Sequence, residues 1–233
     1  MKLHTCRNPR QCLQTNVYSI VPSILLSLTG CGELLEKPDS TEKPKPYDAT
    51  SLKKTELKKL KELFPRDWNA PERGQHPAST EMRLLKRITG KKRKIEQHVH
   101  FPDSPETQTT RSSSTFLDPS GKYIVGKDWN HDPDRKESTR FILYYDETME
   151  CFRGLSWTKS SLGEGNPVQM VGKFVKGKAV IEWKAFEESV GVDTKSHLFL
   201  TSPENFIWRV ERIREGRIVT TLTSNSTLEQ EWP

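Results

Sequence analysis

His98 and His100 form the first pattern in this chain that could do chemistry. One residue apart on a strand, their imidazoles would project from the same face, the spacing a two-histidine metal site uses. The rest of such a site does not follow. Gly90 lies too far upstream, Glu106 is displaced, and no later glycine-rich segment supplies a third histidine. Ile95, Val99 and Phe101 supply the apolar groups here, so both histidines are expected in solvent and no metal is expected. Asp128-Trp129-Asn130-His131-Asp132-Pro133-Asp134 gathers carboxylates around an imidazole, as a cation loop or an acid/base pair would. It lacks the alternate-position ligands, glycine and distal glutamate of a calcium loop, and an Asp/Asn/Pro turn between two strands accounts for it more simply. Ser156 lies in Gly-Leu-Ser-Trp-Thr, without the second glycine of a nucleophile elbow. No catalytic residue and no cofactor is therefore assigned.

The thiols carry a different chemistry. Cysteines stand at 6, 12, 31 and 151, and the first three belong to an N-terminal segment in which Lys2, Arg7 and Arg10 precede an apolar stretch from Val17 to Leu28. Basic, then apolar, then small is the order of a secretory signal, and the stretch is short of the roughly 20 residues a membrane span needs. Its end, Leu28-Thr29-Gly30-Cys31, resembles the lipobox of bacterial lipoproteins. The resemblance implies cleavage before Cys31, a diacylglyceryl thioether on its sulfur, and anchoring in the cell envelope, periplasm-facing or at the surface, through two or three acyl chains. The alternative is that Ile20 to Leu28 is a buried core segment that happens to end near a cysteine. If the signal is removed, Cys151 is the one free thiol left and no internal disulfide framework can form.

Processing also changes the charge. The chain of 233 residues has 37 basic and 31 acidic side chains; without Lys2, Arg7 and Arg10 the balance is 34 to 31, a net of +3. Nucleic acid is not the partner such a balance implies. Arg83, Lys86, Arg87, Lys91, Lys92, Arg93 and Lys94 crowd one expected hairpin, either a solvated surface or a patch for anionic headgroups or acidic polymer.

What must position these groups is a mostly β domain. Residues 32–50 contain three prolines and few large apolar groups, and read as a tether. Over 51–64, Leu52, Leu57, Leu60, Leu63 and Phe64 share one helical face while lysines fill the others, and Pro65 ends the pattern. That helix either plugs or edges the β domain or lies on lipid headgroups. From about residue 80 to 228, period-two segments beginning near 82–89 alternate with turn signals, among them Asp118-Pro119-Ser120-Gly121 and Arg214-Glu215-Gly216-Arg217. Successive hairpins make an antiparallel up-and-down meander. Closure into a barrel, or a strongly curved sheet, disposes of its edges, and no helix is expected beyond the first.

Gly121-Lys122-Tyr123-Ile124-Val125-Gly126, Tyr144-Tyr145-Asp146, Cys151-Phe152-Arg153-Gly154 and Gly172-Lys173-Phe174 together resemble uncharacterised bacterial exported proteins with a lipocalin-like barrel, over roughly residues 55–228. The Gly-x-Trp opening strand of true lipocalins is missing, with only Asp67-Trp68 after the helix, so a lipocalin ligand is not implied. Tyr123, Trp129, Tyr145, Trp157, Trp183 and Trp208 are the candidates to line a barrel mouth and meet a small apolar ligand, or else to fill a core. The expectation is a lipid-anchored envelope protein with a non-catalytic binding or structural role. A small-molecule carrier or enzyme using the barrel mouth, with His98 or His131 near the site, and a basic adaptor are the alternatives. An interior of roughly 300 Å³ or more with convergent polar groups would favour a carrier.

Overall fold

The computed structural model describes residues 52–69, 72–131, 138–160, 163–165, 167–175, 178–186 and 192–233. Cys31, the apolar stretch before it and the tether lie outside the described residues. Two helices, α1 (Lys54–Lys61) and α2 (Thr80–Lys86), precede eleven strands. These are β1 (Gly90–His100), β2 (Thr107–Leu117), β3 (Tyr123–Asn130), β4 (Ser138–Asp146), β5 (Cys151–Ser160), β6 (Gly163–Glu164), β7 (Val168–Phe174), β8 (Val180–Phe186), β9 (Asp193–Phe199), β10 (Asn205–Arg214) and β11 (Arg217–Gln230). The two-residue β6 only extends the end of β5. The other ten pair antiparallel with their neighbours in sequence, β5 with β7 across the gap, and β11 returns to β1 to close the wall. The fold is a closed ten-strand meander barrel with no open edge.

Turn chemistry fixes the β2–β3 register. Asp118 is buried beneath its turn, where Oδ1 accepts the Lys122 and Tyr123 amides (3.0 and 2.8 Å) and Oδ2 accepts the Ser120 amide and hydroxyl (3.1 and 2.6 Å). Gly121 holds φ +74°, and a Cβ there would overlap the His76 carbonyl oxygen. That contact belongs to a strap: the Gly74 amide donates to Leu117 O and the Ala78 amide to Gly121 O, both at 2.9 Å. The strap delivers the chain to α2.

Residues 82–89, expected as the first strand, instead contain most of α2, and this second helix corrects the expectation of one. The Ser79 hydroxyl accepts the Met82 amide at 3.2 Å, Glu81 lies in the first turn, and Arg83 and Lys86 lie in the last, each favourable to the helix dipole. Met82, Leu85 and Ile88 are spaced three apart and enter one end of the barrel, against Leu117, Ile124, Leu143, Phe152, Trp183 and Leu198. Full burial of each is worth about 1.5–3 kcal/mol. α2 is the plug.

α1 lies elsewhere. Its start is held by Glu56, whose carboxylate accepts the Lys53 amide at 2.9 Å, and by Gln169, whose Oε1 accepts the Leu52 amide at 2.8 Å. Leu57 and Leu60, with Leu63 and Phe64 beyond the helix, cover the outside of the wall over Phe116, Val125, Ile142, Leu155 and Trp157. Strands β2 to β5 are therefore buried on both faces. The leucine stripe edges the barrel and does not enter it. No described helix is long and apolar enough to cross a membrane.

The barrel interior as candidate functional site

Alternation along paired strands divides inward from outward side chains. On β2 the inward series is Arg111, Ser113, Thr115, Leu117; on β3 it is Ile124, Gly126, Asp128, opposite Leu117, Thr115 and Ser113 in register. Across β4 and β5 it continues through Thr139, Phe141, Leu143 and through Phe152, Gly154, Ser156, Thr158. At Gly126 a Cβ would overlap the Phe141 ring, so the missing side chain is what lets that ring lie across the inner wall.

Among these, Ser113, Thr115, Asp128, Thr139, Phe141, Leu143 and Ser156 line a cavity of about 80 Å³. Its lining is mostly apolar, with Ile88, Ile95, Leu143, Met170, Phe206, Trp208, Val210 and Leu222, and among these stand polar side chains, including Gln97, Ser113, Asp128, Thr139 and Ser156. Two larger hollows lie outside the barrel lumen: about 520 Å³ beside α2 among Leu84, Tyr145 and Phe174, and about 320 Å³ among Arg73, Arg87 and Trp232. Volume alone would favour those. The chemistry favours the lumen, because most of the buried polar atoms without partners face it; Trp68 Nε1 and Arg73 Nη1 lie outside, and Arg73 lines the 320 Å³ hollow.

Arg111 Nε and Nη2, Asp128 Oδ1, Ser156 Oγ, Trp183 Nε1, Thr194 Oγ1 and Ser226 Oγ are all buried, all on inward-facing residues, and all without a hydrogen-bond partner. Other inward polar groups are satisfied: Gln97 Nε2 donates to Ser224 Oγ (3.3 Å), Thr115 Oγ1 to Ile88 O (2.6 Å), and Thr139 and Thr158 share a hydrogen bond (3.1 Å). Each unpaired buried polar group costs about 1–3 kcal/mol, so six such side chains on the inner wall are a heavy penalty for a structural core.

Burial holds the Asp128 carboxyl above the ordinary carboxylate value, opposed by the Arg111 charge and a hydrogen bond from Ser113. Between those two values the folded chain keeps a proton that the unfolded chain has lost, so this group's contribution to stability falls as pH rises through the window. Asp128→Asn is therefore expected to stabilise the protein more at neutral pH than in mild acid. Urea midpoints at the two pH values measure this. An advantage equal at both would contradict it.

Of the aromatic residues singled out by sequence, Tyr145, Trp183 and Trp208 face inward. Trp183 and Trp208 stack with centroids 6.1 Å apart and planes at 17°, and Trp208 lines the cavity. Tyr123, Trp129 and Trp157 point outward; Trp157 meets Phe64 edge-on at 5.3 Å beneath the segment after α1. The six do not form one lining. Asp128, expected in a turn, is an inward strand residue because β3 runs on to Asn130, while residues 132–137 of that segment lie outside the described residues. His131 is exposed, its Nε2 2.6 Å from Ser112 Oγ on the outer face. His98 pairs with Glu106 at 2.7 Å and His100 is exposed. Among the described residues no group of three or more His, Cys, Asp or Glu is placed to hold a metal.

The basic run is not a hairpin but a helix end, a turn and a strand. Arg83, Lys86 and Arg87 are exposed, Lys91 is half-buried, and Lys92 and Lys94 pair with Glu229 (2.9 Å) and Glu96 (2.7 Å). Arg93 is fully buried and leaves the patch altogether. Cys151 is a buried free thiol whose pKa burial pushes up, away from reactivity.

No family model matches the sequence, and no curated protein does. Among solved structures, the chain aligns with the S-type phycobiliprotein lyase CPES from Guillardia theta at a TM-score of 0.46 and 10% identity, over 66% of this chain and 96% of that one. It aligns with Rv2717c from M. tuberculosis at 0.42 and 9%, over 65% and 99%.

Proposed function

We propose that this protein is a lipid-anchored cell-envelope binding protein that holds one small or slender ligand inside its barrel. The observation that carries this reading is the set of unpartnered buried polar atoms on inward-facing residues, two of which, Asp128 Oδ1 and Ser156 Oγ, line an otherwise mostly apolar cavity. A barrel selected only for stability would fill its lumen with apolar side chains or pair every polar group. Binding sites combine apolar walls with a few convergent polar groups, which is the composition of this lumen. The volume of about 80 Å³ falls below the roughly 300 Å³ expected of a carrier interior, so the reading is limited to a ligand that is small or slender.

Trp208 lines the cavity and Trp183 stacks on it, so ligand entry is expected to change tryptophan emission. Titration with octanol should give a saturable change at one site per chain; a flat titration sinks the reading. The anchor part rests on the resemblance of Leu28 to Cys31 to a lipobox. Expressed in a bacterium with labelled fatty acid, the wild-type chain should carry the label and Cys31→Ser should lose it and leave the membrane fraction. Undiminished labelling of the variant would remove the anchor while leaving the barrel reading in place.

A further inference from the structure

The hollow of about 520 Å³ beside α2 is walled by aromatic rings and carboxylates. Tyr145 and Phe152 are cross-strand neighbours on β4 and β5, their rings edge-on with centroids 5.2 Å apart. Phe174 lies two residues beyond Gly172, the β7 partner of Phe152, and is 38% exposed. Leu84 supplies an apolar group from α2. Two carboxylates join this lining, Glu81 from the first turn of α2 and Glu150 from the β4–β5 turn. Burial raises the pKa of the Tyr145 hydroxyl, and the Glu81 and Glu150 charges raise it further, so both carboxylates are near enough to place a negative field on that ring. Lys173, the one cation among the lining residues, lies opposite Glu182 on β8 and has a partner of its own. Two carboxylates against one ammonium leave a net charge of −1 beside the rings.

We propose that this hollow is a second binding site, separate from the lumen, for a small organic cation of the alkylated ammonium class. The face of an aromatic ring attracts a cation, and the two carboxylates add to that attraction where they border the rings. Alkyl groups on the nitrogen meet Leu84 and Phe174, which a bare ammonium would not use. An anion would be repelled by Glu81 and Glu150, and a neutral apolar molecule would gain nothing from them. A metal ion is a poor match, because no group of three or more His, Cys, Asp or Glu among the described residues is placed to hold one. The volume falls within the range of about 300–1,000 Å³ usual for small-molecule sites. The same head is presented by free choline and by a choline phospholipid at a membrane surface.

The test titrates the full methyl-labelled chain with choline and with 3,3-dimethylbutanol, a neutral molecule of the same shape. Choline is expected to shift the Leu84 methyls, to leave those of Met170, Leu143 and Ile95 in the lumen unmoved, and to bind at least about tenfold more tightly than the alcohol. Phe174→Leu, at an exposed position, keeps an apolar group but loses the ring, and should weaken choline binding about three- to tenfold. Glu150→Gln should weaken it similarly and reduce its dependence on salt. Neither change should alter octanol affinity by more than about twofold, so failure of this site and failure of the barrel reading are told apart. Phosphatidylcholine vesicles mixed with the Cys31→Ser chain identify the source of the head. Retention that free choline competes away assigns it to a lipid, and choline binding without retention assigns it to a free molecule. Equal affinity for choline and the alcohol, or choline binding that leaves Leu84 unmoved, would overturn the proposal. The wild-type comparison stands even if a variant does not fold.

Discussion

Replacing Arg93 with methionine is expected to destabilise the protein by about 3–5 kcal/mol, the largest stability effect of any single change considered. The guanidinium is fully buried, and its nitrogens donate to Thr89 O (3.1 and 3.3 Å), Arg87 O (2.9 Å), Glu204 O (3.0 Å) and Pro203 O (3.2 Å). Two of these acceptors lie in the segment that joins α2 to β1, and two in the β9–β10 connection. One cation therefore ties the plug's exit to the β9–β10 connection at the same end of the barrel. Burial lowers its pKa to about 10, partly opposed by Glu204, so the group remains charged at neutral pH. Methionine would fill much of the space and stack on Phe206, over which the guanidinium now lies at 5.1 Å, but it would take its donor from the Arg87, Thr89 and Pro203 carbonyls and leave Glu204 O with the Leu228 amide alone. The urea midpoint should fall accordingly, and the amides of Met82 and Leu85 should exchange faster than those of the outer wall. A loss below about 1 kcal/mol would show that the plug does not depend on this tie.

Ser156→Leu is expected to do the reverse to stability and to remove function. The Ser156 side chain lines the cavity, its residue is 2% exposed, and its hydroxyl has no partner. Leucine would delete one unpaired polar group and occupy much of the cavity beside Phe141 and Met170. The folded state should gain about 1 kcal/mol, with overpacking setting the limit. Octanol affinity should fall at least about tenfold, since the added side chain competes for the same space. Stability gained and binding lost in one substitution is the signature of a cavity kept open for a ligand at the expense of the core. A variant that is stabilised and still binds normally would place the ligand elsewhere.

The barrel was legible in the sequence because period-two patterning and hairpin turns such as Asp118 to Gly121 are local signals, and a long run of them has few ways to close. α2 was not. Met82, Leu84, Leu85 and Ile88 form a short apolar run that periodicity alone cannot divide between strand and helix, and the deciding detail, Ser79 capping the Met82 amide, is a single contact. The inner wall was obscured for a different reason. Tyr123, Val125 and Trp129 share one parity on β3 and point outward, but α1 and the segments beside it cover the outside of this wall, so both parities are apolar there. Burial no longer distinguished lumen from exterior. Arg93 and Arg111 sit in similarly basic or polar surroundings in sequence, yet one is paired through carbonyls more than 100 positions away and the other is left open. Only the closed barrel separates their roles.

The central claim is that the lumen, and not either outer hollow, receives the ligand. Methyl-labelled protein titrated with octanol and followed by carbon–proton correlation spectra tests it most directly, because methyl groups mark all three places. The account predicts that Met170, Leu143, Ile95 and Leu222 shift together and saturate at one ligand per chain, with Leu84 beside α2 and Leu228 beside the Arg73–Trp232 hollow unmoved. Shifts confined to Leu84 or to surface methyls, with the lumen unperturbed, would contradict it.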